Sequence, residues 1–110
     1  MQLNHLNLCV GDLAEARDFF ERLLEFQFVE QKGDALAVLT DRAGVTLVLS
    51  DVRAFGGETP VRYPKGFHVG FLVPTPEEVD RAYQRLTAAS LPIERTPRNL
   101  RGGYSFYRDC

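Results

Sequence analysis

Leu13, Ala16, Phe19, Phe20, Leu23 and Leu24 recur at intervals of three and four, which predicts a helix with one stripe lying on a core. Val79, Ala82, Tyr83 and Leu86 repeat that pattern later in the chain. A start signal precedes each stripe: Asp12 followed by Glu15, and Thr75 followed by Glu78. Both read as capping boxes, in which the first side chain accepts from a free backbone N–H and the glutamate reaches back. Pro76 sits just inside the second start, where its missing N–H costs nothing. Ahead of the two helices lie the β-rich runs His5-Leu6-Asn7-Leu8-Cys9-Val10 and His68-Val69-Gly70-Phe71-Leu72-Val73. Each suits a strand buried on at least one face. After the first helix, strands are expected at 26–30, 35–40 and 45–50, with Lys32-Gly33-Asp34 and Asp41-Arg42-Ala43-Gly44 as turns. After the second, strands are expected at 93–96 and 104–108, joined by a loop containing proline, asparagine and glycine.

These elements are in register. Placing His5 over His68, a shift of 63 residues, also places Asp12 over Thr75 and Ala16, Phe19, Phe20 and Leu23 over Val79, Ala82, Tyr83 and Leu86. Agreement of strand, cap and stripe at one shift marks an internal repeat. The expected fold is α+β, one domain over 1–110, with repeat one at 1–51, a linker at 52–66 and repeat two at 67–110. The linker holds three glycines and two prolines and reads as a loop able to act as a lid. Position 110 corresponds to Leu47, inside the last expected strand of repeat one. The reading is therefore two βαβββ units, the second without its last strand.

Composition narrows the partners. The apolar share is 45% and the charged share 25%, as in an ordinary globular protein. The net charge is −2 with both signs scattered, so no basic run offers a nucleic-acid footprint. No apolar stretch has the length needed to span a bilayer, and the first residues lack a signal-peptide pattern. The expectation is a cytoplasmic protein with no nucleic-acid or membrane partner. Cys9 and Cys110 lack the spacing of a zinc site or a disulfide framework. Cys9 is read as a small buried apolar residue.

A βαβββ unit used twice, with a histidine in the first strand of each copy, resembles the vicinal oxygen chelate superfamily of glyoxalases, bleomycin resistance proteins and dioxygenases. The residues carrying the resemblance run from His5 to Leu13, then Ala16-Arg17-Asp18-Phe19-Phe20, Leu23-Leu24-Glu25-Phe26, Phe67 to Val73 and Gly102 to Asp109. The resemblance implies a curved, cup-like sheet with helices on its outer face and a divalent metal in the cup. It implies His5 and His68 as metal ligands. The family's carboxylate position in the first unit falls at Val48, and that of the second unit lies beyond Cys110. Glu25 stands where the family favours a glycine to end the first helix.

Two imidazoles hold zinc, nickel, manganese or iron less securely than the roughly three protein ligands of a lasting octahedral site. The metal is therefore expected to be weakly held or absent. Two readings of the histidine pair stay open: a shared site, or a relic of common ancestry. Strand alternation assigns the cup lining. With His5 facing the cup, Leu3, Asn7 and Cys9 follow, while Leu6, Leu8 and Val10 face the helix. The same rule puts His68, Gly70 and Leu72, and Thr46, Val48 and Ser50, on the cup side. The family pattern adds Tyr104, Phe106 and Arg108. Asn7, Thr46, Val48, Leu72, Tyr104, Phe106 and Arg108 are the expected ligand contacts, a mixture of apolar wall and few polar groups suited to a small molecule.

The function expected is small-molecule binding with an incomplete metal site. The alternative is a divalent-metal-dependent lyase, dioxygenase or antibiotic-resistance transferase that completes its site across a dimer. A homodimer is expected in either case, because a missing strand leaves an unpaired sheet edge and an open cup wall.

Overall fold

Strand β1 (His5–Val10) alternates strictly, with Leu6, Leu8 and Val10 half-buried and His5, Asn7 and Cys9 exposed. In the computed structural model, which describes residues 1–89, 97–100 and 103–105, the chain divides into two compact units, Met1–Phe67 and His68–Cys110. The architecture is α+β. In the first unit β1 leads into helix α1 (Leu13–Asp18) and then into a π-helical turn (Phe19–Leu23). Strands β2 (Gln27–Lys32), β3 (Leu36–Thr40) and β4 (Thr46–Asp51) follow, and a 3-10 turn (Val52–Phe55) closes the series. The sheet order is β1-β4-β3-β2. β1 runs parallel to β4, and the other neighbours are antiparallel.

Burial explains the assembly. Leu13, Phe20, Ala37, Leu39, Leu47 and Leu49 form the core, with Leu6, Leu8, Val10, Ala16, Phe19, Leu24 and Phe26 packed against it. These are the expected helix stripe and one face of each inner strand. Leu39 and Leu49 are wholly buried, and each such side chain contributes roughly 1.5–3 kcal/mol of transfer free energy. Asp12 caps α1 by accepting from the Glu15 backbone N–H at 3.0 Å. Among the described residues the reciprocal bond from the Glu15 side chain is not made, so only half of the expected capping box forms.

The end of this helix is strained at Glu25, where the family resemblance favours a glycine. Its φ is +60°, the left-handed conformation that glycine adopts most cheaply. The Phe26 N–H donates to the Phe20 carbonyl at 2.9 Å, and the two rings meet edge to face at 5.5 Å. This is a Schellman-like closure, widened because the last turn is π-helical rather than α-helical. Strand β2 is the outer strand and is exposed along its whole length. A bulge between Phe28 and Glu30 breaks its register with β3. The Arg17 guanidinium lies 3.6 Å from the Phe28 ring centroid, a cation–π contact worth about 0.5–1 kcal/mol at an exposed site.

The second unit begins near His68. No strand partner for 68–73 lies among the described residues. Helix α2 (Pro76–Ala88) starts at Thr75, whose hydroxyl accepts from the Glu78 backbone N–H at 3.2 Å, with proline in the first turn. Leu86 is its buried residue, and Val79, Ala82 and Tyr83 are half-buried on the same stripe. Strands β5 (Arg98–Leu100) and β6 (Gly103–Ser105) pair antiparallel. β5 lies where a loop was expected, because ladder pairing with β6 overrides the turn-like composition there. The strand expected at 93–96 lies outside the described residues, as does 106–108 of the last one. Among the described residues no helix is long and apolar enough to cross a membrane.

Replacing Glu25 with glycine should raise the stability by up to about 1 kcal/mol by relieving the left-handed strain. Urea unfolding of Glu25→Gly against the parent chain measures it, and an unchanged or lower midpoint would contradict the strain account.

Candidate functional site

The open face of the first unit's sheet can be laid out from the ladder registers. β1 pairs with β4 as His5 with Thr46, Asn7 with Val48 and Cys9 with Ser50. β4 pairs with β3 as Thr46 with Thr40, Val48 with Val38 and Ser50 with Leu36. Residues paired in register share a face, so these nine side chains form three rows across three strands. The opposite parity faces the core, with Leu47 and Leu49 buried beneath. The structure thus brings Asn7, Thr46 and Val48 together on one surface with His5, as alternation predicts.

The polar groups on this face are partly fixed. The Ser50 hydroxyl, almost fully buried, donates to Asn7 Oδ1 at 2.8 Å. That bond orients the Asn7 carboxamide, and among the described residues its Nδ2 donors have no partner. His5 Nδ1 lies 2.9 Å from Asn4 Oδ1, so one ring nitrogen is engaged by a neighbour in sequence. Val48 stands in the row beside Asn7.

Among the described residues, no group of three or more histidine, cysteine, aspartate or glutamate side chains could hold a metal ion. On the first unit's face the imidazole of His5 and the thiol of Cys9 stand at opposite ends of the column His5–Asn7–Cys9, four residues or about 13 Å apart along the strand. The carboxylate on the same face is Glu30, in the row of Val38, Val48 and Asn7 but on β2. Three strand spacings, about 14 Å, separate its strand from β1. These residues do not fit a tightly bound divalent cation.

The other expected residues lie in the second unit. His68 and Leu72 precede α2 and are exposed. Tyr104 sits in β6 opposite Asn99. Phe106 and Arg108 lie outside the described residues. Cys9 corrects one expectation: it is an exposed free thiol rather than a buried apolar residue, because its strand parity assigns it to the open face with His5 and Asn7.

Sequence reasoning missed what residues 51–63 do. The Asp51 carboxylate accepts from the Arg53 backbone N–H at 2.9 Å and from its guanidinium at 2.8 and 3.1 Å. The side-chain hydrogen bond from Arg53, then the backbone one, holds Asp51 below the ordinary carboxylate range. The guanidinium also reaches the Gly11 carbonyl at 3.5 Å. Further on, the Tyr63 hydroxyl donates to the Cys9 carbonyl at 2.6 Å, and the Tyr63 and Phe67 rings stack at 4.7 Å. A Cβ on Gly11 would lie 3.6 Å from Thr59 Cγ2 and 4.0 Å from Val61 Cγ2, so the segment rests on the end of β1. It encloses an open groove of about 600 Å³, with Cys9 and Val52 on one side and 58–63 on the other. The Tyr63/Phe67 pair, four residues apart across the end of the expected linker, was the available signal.

Known proteins share this fold. The family model of the Glyoxalase/Bleomycin resistance protein/Dioxygenase superfamily matches residues 2–109. A possible glyoxalase from Bacillus cereus is 36% identical, with a TM-score of 0.83 over 98% of this chain and 88% of that one. Lactoylglutathione lyase from Agrobacterium tumefaciens is 22% identical, with a TM-score of 0.73 over 97% and 84%. The fosfomycin resistance protein FosX from Listeria monocytogenes has been solved as an E126Q mutant with Mn(II) and 1S,2S-dihydroxypropylphosphonic acid. It is 20% identical, with a TM-score of 0.72 over 97% and 83%. No curated protein matches the chain.

Because the Asp51 carboxyl has a depressed pKa when folded, its bond to Arg53 stabilises the fold above about pH 4. That stability is lost as the pH falls through the folded value. Asp51→Asn should lower the unfolding midpoint at pH 7 and narrow the drop between pH 7 and pH 3. An equal drop in both proteins would show that the pair does not contribute.

Proposed function

Because the chain belongs to the Glyoxalase/Bleomycin resistance protein/Dioxygenase superfamily, we propose that it binds a small molecule on the open face of the first unit's sheet, beside an incomplete metal site. The observation that carries this reading is the row Asn7–Val48–Val38. It sets an oriented amide donor beside an apolar wall, where metal chemistry would need a carboxylate. Asn7 Nδ2 donates to a ligand oxygen, Val48 packs on its carbon skeleton, and Thr46 offers a hydroxyl next to His5. Such a mixture gives affinity through burial and orientation through a few polar groups.

A second reading is a divalent-metal-dependent lyase, dioxygenase or transferase. The Mn(II) in the FosX relative supports it. A bound divalent ion would stabilise negative charge on two neighbouring ligand oxygens. His5 is the first unit's donor toward such an ion, and a carboxylate from a partner chain would complete the set. We derive no reaction step from it, since Val48 closes the first unit's carboxylate position.

Amide chemical-shift mapping on the labelled protein, combined with elemental analysis before and after chelator, tests the two readings. Binding of a small apolar ligand should move the amides of Asn7, Thr46 and Val48 and survive chelation, while Asn7→Ala should weaken it about tenfold, the loss of one well-placed hydrogen bond. A stoichiometric metal that survives dialysis, with binding lost on its removal, would overturn the first reading in favour of the second.

We further propose that the protein works as a homodimer. Phe28, Val29 and Phe55 are large apolar side chains left 40%, 55% and 62% exposed, and apolar surface of this kind marks partner contacts. Sedimentation equilibrium should return the dimer mass across the micromolar range, and a monomer at high micromolar concentration would refute the assembly.

A further inference from the structure

The groove beside Cys9 adds a chemical requirement to the ligand. Cys9 belongs to both surfaces: it ends the open-face column His5–Asn7–Cys9, and it lines the groove. The groove's other walls include the apolar side chains of Pro60 and Val61 and two opposite charges, Glu58 and Arg62. Three arginines of this unit pair with acids: Arg17 with Glu21, Arg22 with Asp18 and Arg53 with Asp51. Glu58 and Arg62 do not. They share one groove, yet among the described residues neither forms an ion pair or a hydrogen bond, with the other or with anything else.

Thr59, Pro60 and Val61 lie between them in the chain, and Thr59 and Val61 rest on Gly11. Tyr63, next to Arg62, is tied to the Cys9 carbonyl. The segment is thus held at both charges' neighbours, and the charges line the same space without meeting. A ligand that answers both carries an anion for the guanidinium and a cation for the carboxylate.

We propose that this groove seats a small zwitterion, an ammonium against Glu58 and a carboxylate against Arg62, with a short aliphatic chain along Pro60 and Val61. The inference rests on the reading of the open face as a ligand surface and names the polar end of the ligand. A single charge would leave one of the two groups without a counter-ion, so neither a simple carboxylate nor a simple amine matches as well.

The test uses leucine, N-acetylleucine and leucinamide as probes on the 15N-labelled 110-residue chain. Leucine should shift the amides of Cys9, Arg62 and Tyr63, and each derivative, lacking one charge, should bind about tenfold more weakly, the loss of one charge-assisted bond. Arg62→Gln should weaken leucine but leave leucinamide unchanged. Glu58→Gln should weaken leucine but leave N-acetylleucine unchanged. Equal affinities for the three probes, or no shift at Cys9, Arg62 and Tyr63, would overturn the proposal. The open-face reading fails separately: shifts in the groove alone, with Asn7, Thr46 and Val48 unmoved by every ligand tried, would remove that reading and leave the groove. Shifts at Asn7, Thr46 and Val48 without any in the groove would do the reverse.

Discussion

The parallel ladder between β1 and β4 decides which atoms of the first unit reach solvent. Leu47 and Leu49 must lie under α1 with Leu39, because no other surface in the unit covers them. Their burial fixes the parity of β4. Register pairing of Leu6 with Leu47 and Leu8 with Leu49 then imposes the same parity on β1. His5, Asn7 and Cys9 face outward as a consequence of hydrophobic packing on the other side. A slip of one residue would bury the imidazole and the amide and expose Leu6 and Leu8. The geometry of the open face therefore rests on several kcal/mol of leucine burial rather than on any polar interaction it contains.

Much of this was legible in the residues. The stripes at three- and four-residue spacing found both helices, and Asp12 and Thr75 act as the caps their positions suggested. The strands of the first unit lie within two residues of the expected ones, since alternation and the glycine turns at Gly33 and Gly44 bracket them. Glu25 stands where the resemblance favours a glycine, and its left-handed φ gives the physical reason for that preference. The π-helical turn was not legible, because the same apolar spacing serves an α-helix and a slightly wider one. Residues 51–63 were read by composition as a linker. Their structure depends on bonds to backbone carbonyls, Tyr63 to Cys9 and Arg53 to Gly11, and such acceptors carry no residue-specific signature. Cys9 was misjudged because cysteine's usual burial was weighed above its strand parity.

Val48 changes the chemical character of the face more than any other residue. A carboxylate there would sit in register with Asn7 and two residues from His5, drawing a cation toward the histidine. An isopropyl group instead joins Val38 as a small apolar wall between polar rows. The bond from Ser50 to Asn7 then matters more, since the amide is the oriented donor nearest that wall. The shape of this face and the pointing of one carboxamide are thus set together by the β1–β4 register.

The bulge in β2 has a consequence at the scale of many molecules. β2 is exposed at every residue and carries Phe28 and Val29 at the sheet margin, which in a flat strand would offer an apolar template for indefinite stacking. The register break between Phe28 and Glu30 bends the strand and raises its local twist. Glu30 and Lys32 add charges that a stacked copy would have to desolvate. Crowded copies of this chain therefore meet an interrupted and charged margin rather than a flat apolar one.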